Sequence, residues 1–362
     1  MSVQPARPGI RKIKAYMTEA GDDGLPAPDL LLNSNESVFG PSPKAIEAAR
    51  EAAGHLERYT ENVDGILAPE IAAFFGVDAA KITVGNGSDD LLARLARAYL
   101  GPGTEMLRSE NGYPKTPNYA FANDAEVRSV PDQGFRPSVR HLIEGVNERT
   151  RMVYLANPEN PAGTYLGSGE LRALHAAMPA EALLVLDCAY DEYVDDPGRE
   201  PVDALVDGAS NVVMSRTFSK IFGLAGARVG WLYGPPDIVA DVRRISTTFP
   251  LSGVSMAAAR AALTDRDHFD TVYAANRDGR TWLSERLAGL GLAVVPSQAN
   301  FVLAGFPDPT RTAEAAERHL RENGIAVRRF PAPAYRNHLR ITIGRRAELR
   351  RVADALEDFL AG

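Results

Sequence analysis

Short apolar runs alternate with helical stripes through the middle of the chain. "KITV" (81–84) runs into "SDDLLARLARAYL" (88–100), where Leu91, Leu92, Leu95, Ala96 and Tyr99 fall on one helical face. "TEMLRS" (104–109), "AEVRSV" (125–130), "RMVYLA" (151–156), "EALLVLD" (181–187), "NVVMSR" (211–216) and "ARVGWLYG" (227–234) read as strands, with helical patterns such as "GELRALHAAM" (169–178) between them. Several of these runs are apolar on both faces, as buried parallel strands are. The alternation predicts an α/β fold around a mostly parallel sheet.

The pattern changes near residue 250. A long helical region, Val254 to Leu287, precedes "LAVVPSQANFVLAG", "GIAVRRF", "NHLRITIG" and a terminal helix, which together predict a smaller α+β C-terminal domain. The first forty residues are Pro-rich and irregular, and loops that long tend to be functional or to reach a partner. The expected division is therefore an N-terminal arm at 1–40, a large domain at 41–250 and a small domain at 251–362.

Composition adds exclusions. A net charge of −7 gives no electrostatic footing for nucleic acid. The single cysteine, Cys188, allows no internal disulfide and fits a reducing compartment. The N-terminal stretch has no apolar signal core, and no apolar run approaches the ~20 residues a membrane helix needs, so a cytoplasmic location is expected. The six histidines are scattered without metal-ligand spacing, and no metal site is expected. Most paired arginines read as solvated helix surface; the exception is Arg328–Arg329.

In open α/β sheets ligands gather beyond the carboxyl ends of the strands. "GNGSDD" (85–90) follows one strand and opens a helix, where backbone N–H groups suit phosphate. It lacks the third glycine of a dinucleotide fingerprint, and by itself it could be an ordinary capped turn. "NPENPAGTYL" (157–166) follows the next and could be only a turn, or could present the amide of Asn160. Asp187 ends an apolar strand, where an unpaired carboxylate is costly, and Tyr190 follows it. "TFSKIFGLAGARVG" (217–230) brings Ser219, Lys220 and Arg228, each of which alone would pass for a surface residue. Together these strand ends answer the needs of pyridoxal 5′-phosphate. Its aldehyde needs a lysine, its pyridine nitrogen an anionic partner, and its phosphate N–H groups, hydroxyls and a guanidinium.

With "LNSNESVFGPSP" (32–43), "RYTEN" (58–62), "DCAY" (187–190), "SQANFVL" (297–303) and "LRITIG" (339–344) in the same order and spacing, the chain resembles fold-type I pyridoxal-phosphate aminotransferases of the class I/II superfamily over nearly its whole length. It is most similar to the histidinol-phosphate aminotransferase branch. The resemblance implies that Lys220 holds the cofactor and moves a proton between substrate and cofactor. Asp187 would bond the pyridine nitrogen, and Asn160 and Tyr190 the phenolic oxygen. Ser219, Arg228 and the backbone of Gly87, Ser88 and Asp89 would hold the phosphate, with Tyr113 stacked on the ring. Tyr59 would reach the phosphate of a second subunit, making a homodimer with shared active sites. Arg340 would clamp a substrate carboxylate, Asn35 would lie in the segment covering the site, and Tyr16 and Arg328 would face the substrate's far end.

The implied reaction is ping-pong transfer between an amino donor and a 2-oxo acid, with histidinol phosphate and 2-oxoglutarate as the first pair and aromatic amino acids as the alternative. Carbon–sulfur lyases and decarboxylases also run on this fold. A pyridoxal-phosphate-sensing regulator would need an appended DNA-binding domain for which 362 residues leave no room, and the incomplete glycine fingerprint argues against a nucleotide-binding protein. The chain departs from the family's usual pattern at Ser37–Val38, Asn111–Gly112, Glu159, Ala162 and Cys188. None of these removes a group that would hold the cofactor.

Overall fold

The computed structural model describes residues 5–13 and 27–362; Tyr16 lies outside them. Strand β1 (Leu30–Leu31) precedes the strands of the main sheet: β2 (Ile82–Gly85), β3 (Glu105–Ser109), β4 (Glu126–Val130), β5 (Thr150–Ala156), β6 (Leu183–Asp187), β7 (Val212–Thr217) and β8 (Gly230–Tyr233). They form a seven-stranded sheet in the order β2-β8-β7-β6-β5-β3-β4, in which β8 alone runs against the others. The expected mostly parallel α/β architecture is thus present.

Alternation along the central strands fills both faces. Val153, Leu155, Leu184, Leu186, Val212 and Met214 enter one core, while Met152, Tyr154, Leu183, Val185 and Val213 enter another, under the helix Ser88–Tyr99. Each fully buried aliphatic side chain contributes about 1.5–3 kcal/mol of transfer free energy, so this two-sided burial is what holds the strand ends in register. That helix carries Asp89 and Asp90 in its first turn, where carboxylates oppose the positive end of the helix dipole.

The remaining strands are β9 (Ala293–Val295), β10 (Phe301–Gly305), β11 (Ile325–Ala326), β12 (Arg328–Arg329) and β13 (His338–Thr342). An antiparallel sheet in the order β12-β13-β10-β9 packs its own core with the helices Arg266–Gly289, Ala313–Glu322 and Arg346–Ala361. Strand β1 pairs in parallel with β11, the Leu32 N–H donates to the Ala326 carbonyl, and the Thr342 N–H donates to the Leu32 carbonyl. Residues 30–35 are therefore stitched to the smaller sheet.

Three details differ from the sequence pattern. The helical region after 250 is two helices, Gly253–Leu263 and Arg266–Gly289. At the break the Thr264 hydroxyl turns back to the Ala261 carbonyl and Asp265 leaves helical geometry. The first of these helices packs its Ala258, Ala259, Ala262 and Leu263 into the large core, so the division between cores falls later than 250/251. The strand expected at 227–234 begins only at Gly230, because Ala225–Ala227 is a 3-10 turn and Arg228 is left-handed (φ 53°).

Candidate active site

The C-terminal ends of β5, β6 and β7 open into a cavity of about 390 Å³ lined by Ser88, Asp89, Tyr113, Asn160, Asp187, Tyr190, Ser219, Lys220, Arg228 and Arg340, together with Asn33, Ser34, Asn35 and Glu36. Residues more than 300 positions apart in sequence thus meet in one space.

Lys220 stands beyond β7. Its ammonium donates to the Ser34 carbonyl at 3.4 Å and lies 5.7 Å from the centre of the Tyr190 ring. Burial, assisted by the Arg340 and Arg228 guanidiniums and opposed by Glu36, pushes its pKa down to about 8. A lysine so placed offers a neutral, nucleophilic amine close to physiological pH.

Asp187 ends β6. One carboxylate oxygen accepts from the Tyr154 phenol at 2.7 Å and the other from the Ser215 hydroxyl at 3.1 Å. Burial pushes Asp187 up to about 6 against the pull of these two donors and the Ala189 N–H. Among the described residues no ion pair reaches it, so the carboxylate is held by neutral groups alone.

The Tyr190 hydroxyl accepts from the Asn35 amide at 2.9 Å and from the Asn160 amide at 3.2 Å. Burial, offset by Arg340 and Asn35, pushes its pKa up to about 12, so it stays protonated. Asn160 turns its carbonyl to Arg340 Nη1 at 2.6 Å, and Arg340 Nη2 donates to the Asn33 carbonyl at 2.9 Å. Asn35 is buried and left-handed (φ 56°), tied by its N–H to the Thr342 hydroxyl and by its carbonyl to the Asn300 amide. Both Asn-Pro bonds beside this loop, Asn157–Pro158 and Asn160–Pro161, are cis.

At the other end of the cavity the helix Ser88–Tyr99 starts on Gly87, whose φ of 79° favours glycine and where a Cβ would lie 2.5 Å from the Arg228 guanidinium. Gly230 plays the matching part across β8, since a Cβ there would collide with the backbone at Gly87–Ser88. Arg228 Nη1 donates to the Ser219 hydroxyl at 3.2 Å. Helix N–H groups, a hydroxyl and a guanidinium converge here, a combination suited to a phosphate. The Asp89 side chain turns away from this cluster to the Tyr119 phenol and, at 3.2 Å, to Lys115.

The remaining expected site residues lie elsewhere. Tyr59 is outside the cavity, 77% exposed, stacked on Phe249 with ring centres 4.2 Å apart and beside exposed Leu56. Arg328 is directly opposite Arg340 on neighbouring strands, and both guanidiniums lie over Phe330, at 6.0 and 5.2 Å. The sequence pattern did not single out Tyr154, Ser215 or Glu36. A phenol inside a buried strand has to find a partner, and that requirement is the one signal pointing to Tyr154. Of the departures from the family pattern, Glu159 is buried behind Asn160, whose N–H it accepts at 2.9 Å, Ala162 packs with Leu303, Phe330 and Tyr335, and Cys188 is buried in the core.

The sequence profile of aminotransferases of class I and II matches residues 27–356. The chain belongs to this family. Class I and II aminotransferases are pyridoxal-phosphate-dependent and act on amino donors and 2-oxo acids. This aminotransferase is 42% identical over 364 residues to the histidinol-phosphate aminotransferase of Rhodospirillum centenum, covering 100% of both chains. It is 41% identical over 356 residues to histidinol-phosphate aminotransferase 1 of Caulobacter vibrioides, covering 98% of this chain and 99% of that one. Its fold matches the Sinorhizobium meliloti histidinol-phosphate aminotransferase, solved in complex with pyridoxal 5′-phosphate, with a TM-score of 0.91 at 30% identity over 99% of this chain and 98% of that one. The aspartate aminotransferase of Thermus thermophilus, solved with maleate, shares the fold at a TM-score of 0.81 and 22% identity, over 99% of this chain and 100% of that one.

Proposed function

We propose that this aminotransferase holds pyridoxal 5′-phosphate in the cavity and transfers the amino group of histidinol phosphate to 2-oxoglutarate in a ping-pong cycle. The observation that carries the reading is the buried Asp187 carboxylate, satisfied only by neutral donors, in the same cavity as a depressed lysine and a phosphate-suited helix terminus. When bound, the cofactor supplies an electron sink for the charge left on the donor's Cα as its proton departs.

The chain's own residues do the rest. Lys220 would hold the cofactor through Nζ and, once released from it, take the proton from the donor's Cα and carry it to the cofactor. Asp187 would keep the pyridine nitrogen protonated. Tyr190, which accepts two amide donors and keeps its own proton, has an O–H to give to the phenolic oxygen, with Asn160 beside it. Tyr113 would stack on the ring. The N–H groups at Gly87, Ser88 and Asp89, with Ser219 and Arg228, would hold the phosphate.

Histidinol phosphate carries a phosphate ester where an amino acid carries its carboxylate. Two arginines directly opposite each other across a strand pair repel unless an anion lies between them. Arg340 and Arg328 would therefore share the donor's phosphate, and Arg340 would take the acceptor's α-carboxylate. Residues 30–35, with Asn35, would cover the site. Exposed Leu56, Tyr59 and Phe249 support a homodimer in which Tyr59 reaches the partner's phosphate site. A cytoplasmic location fits such an enzyme.

The test is a panel of donors with the cofactor-loaded protein, reading glutamate formed from 2-oxoglutarate. Histidinol phosphate should exceed phenylalanine at least tenfold in kcat/KM. A preference for phenylalanine would replace the substrate, and no glutamate from any donor would overturn the acceptor.

A further inference from the structure

We infer that Tyr154 and Ser215 are positioning residues that hold the Asp187 carboxylate in one orientation and keep it the weaker base in its pairing with the pyridine nitrogen. The inference rests on the cofactor reading above.

The geometry is specific to three adjacent strands. Asp187 lies in register with Ala156 on β5 and with Ser215 on β7. Tyr154, two residues before Ala156, is on the same face of β5 and reaches forward to one carboxylate oxygen at 2.7 Å. Ser215, beside Asp187, takes the other at 3.1 Å. All three are buried, Ser215 completely. With a hydroxyl fixed on each oxygen and the Ala189 N–H as a third donor, the carboxylate is held in one orientation, and what is left of its accepting capacity faces the cavity.

The two hydroxyls have an electrostatic effect as well. Burial raises Asp187, and these donors oppose it. Tyr154 is itself held far above the usual phenol range by burial and by Asp187, so it keeps its proton and donates it to the carboxylate in a hydrogen bond. A carboxylate stripped of both donors would become more basic. In a buried pair the shared proton would then move from the pyridine nitrogen to the carboxylate, leaving a neutral ring that is a poorer electron sink.

The experiment uses the cofactor-loaded full-length protein with pyridine-15N-labelled pyridoxal phosphate, comparing wild type, Tyr154→Phe, Ser215→Ala, the double variant, Ser215→Thr and Asp187→Asn. The 15N chemical shift reports whether the ring nitrogen is protonated, independently of turnover. Tyr154→Phe and Ser215→Ala keep the volume nearly constant, and thermal unfolding midpoints confirm folding. Each should move the 15N signal part of the way to the Asp187→Asn position and lower kcat about tenfold with little change in KM, the effect of about one pKa unit. The double variant should move it further, and Ser215→Thr, which keeps the hydroxyl, should restore it. If Asp187→Asn moves the signal while the hydroxyl variants leave signal and kcat at wild-type values, the inference fails and the cofactor reading stands. If Asp187→Asn itself leaves the signal unmoved, the cofactor reading fails and takes the inference with it.

Discussion

Asp187 and Asp191 are four residues apart, both buried, and satisfied in opposite ways. Asp187 meets a phenol, a serine hydroxyl and a backbone N–H. Asp191, fully enclosed, meets the guanidiniums of Arg199 and Arg216, with Glu192 3.7 Å from Arg216 and the Arg216 plane over Phe75 and Trp231. Consecutive residues of β7 serve the two sites, Ser215 on one face of the sheet and Arg216 on the other. One carboxylate has its countercharge built in, and removing a partner from such a cluster leaves a buried charge uncompensated. The other meets no cation among the described residues, which is the ground for proposing that the cofactor supplies one. Burial alone therefore does not mark a functional carboxylate; the chemistry of its donors does.

The comparison breaks most readily at the lysine that shares the Asp187 cavity. Lys220→Ala should abolish transamination while leaving the thermal midpoint within a few degrees, since no ion pair of Lys220 is lost among the described residues. Its amine should react with an acylating reagent in the cofactor-free protein with a midpoint at about 8, because the ammonium is unreactive below its depressed pKa and the amine is free above it. A midpoint near the ordinary lysine value would show that the cavity does not desolvate it.

Asp187→Asn should cost about 10²–10³ in the rate of the first half-reaction, the scale of one preorganised electrostatic group, with stability of the cofactor-free protein unchanged or raised. Asp191→Asn should do the reverse. It leaves two arginines facing an amide and should cost about 3–5 kcal/mol in denaturant unfolding, with turnover per folded molecule near wild type. Rate loss in Asp191→Asn without destabilisation would erase the contrast between the two sites. The smallest effect is at Arg328, opposite Arg340 on the neighbouring strand. Arg328→Ala should raise KM for histidinol phosphate about tenfold or more, as loss of a charge-assisted bond worth ~1.5–3 kcal/mol requires, and leave phenylalanine nearly untouched. Equal changes for both donors would remove Arg328 from phosphate recognition.

Much of this was legible along the chain. Short apolar runs between helical stripes located the strands of the main sheet, since burial on both faces leaves little room for polar positions. Asp187 stood out because a carboxylate ending a buried run is costly, whereas Lys220 and the glycine turn took on meaning only together with it. Less legible was the break at Thr264–Asp265, which rests on a local side-chain bond rather than on periodicity, and the late start of β8, where Arg228 adopts a left-handed conformation that periodicity does not register.

The sequence by itself determined the α/β class and which groups follow the buried runs, Asn160, Asp187, Tyr190, Ser219, Lys220 and Arg228, because these depend on local patterning; Asn35, Tyr113 and Arg340 came only with the family resemblance, and Glu36 not at all. Tertiary structure alone decided which of those groups touch. Tyr154 reads as one more apolar residue until β5 and β6 are paired in register and its hydroxyl meets Asp187. Arg328 and Arg340 become a pair only when β12 and β13 align. Asn35 reaches Tyr190 across 155 residues only because β1 is stitched to β11. Contacts of this kind are set by register and by packing between distant segments, and short-range periodicity carries no record of either.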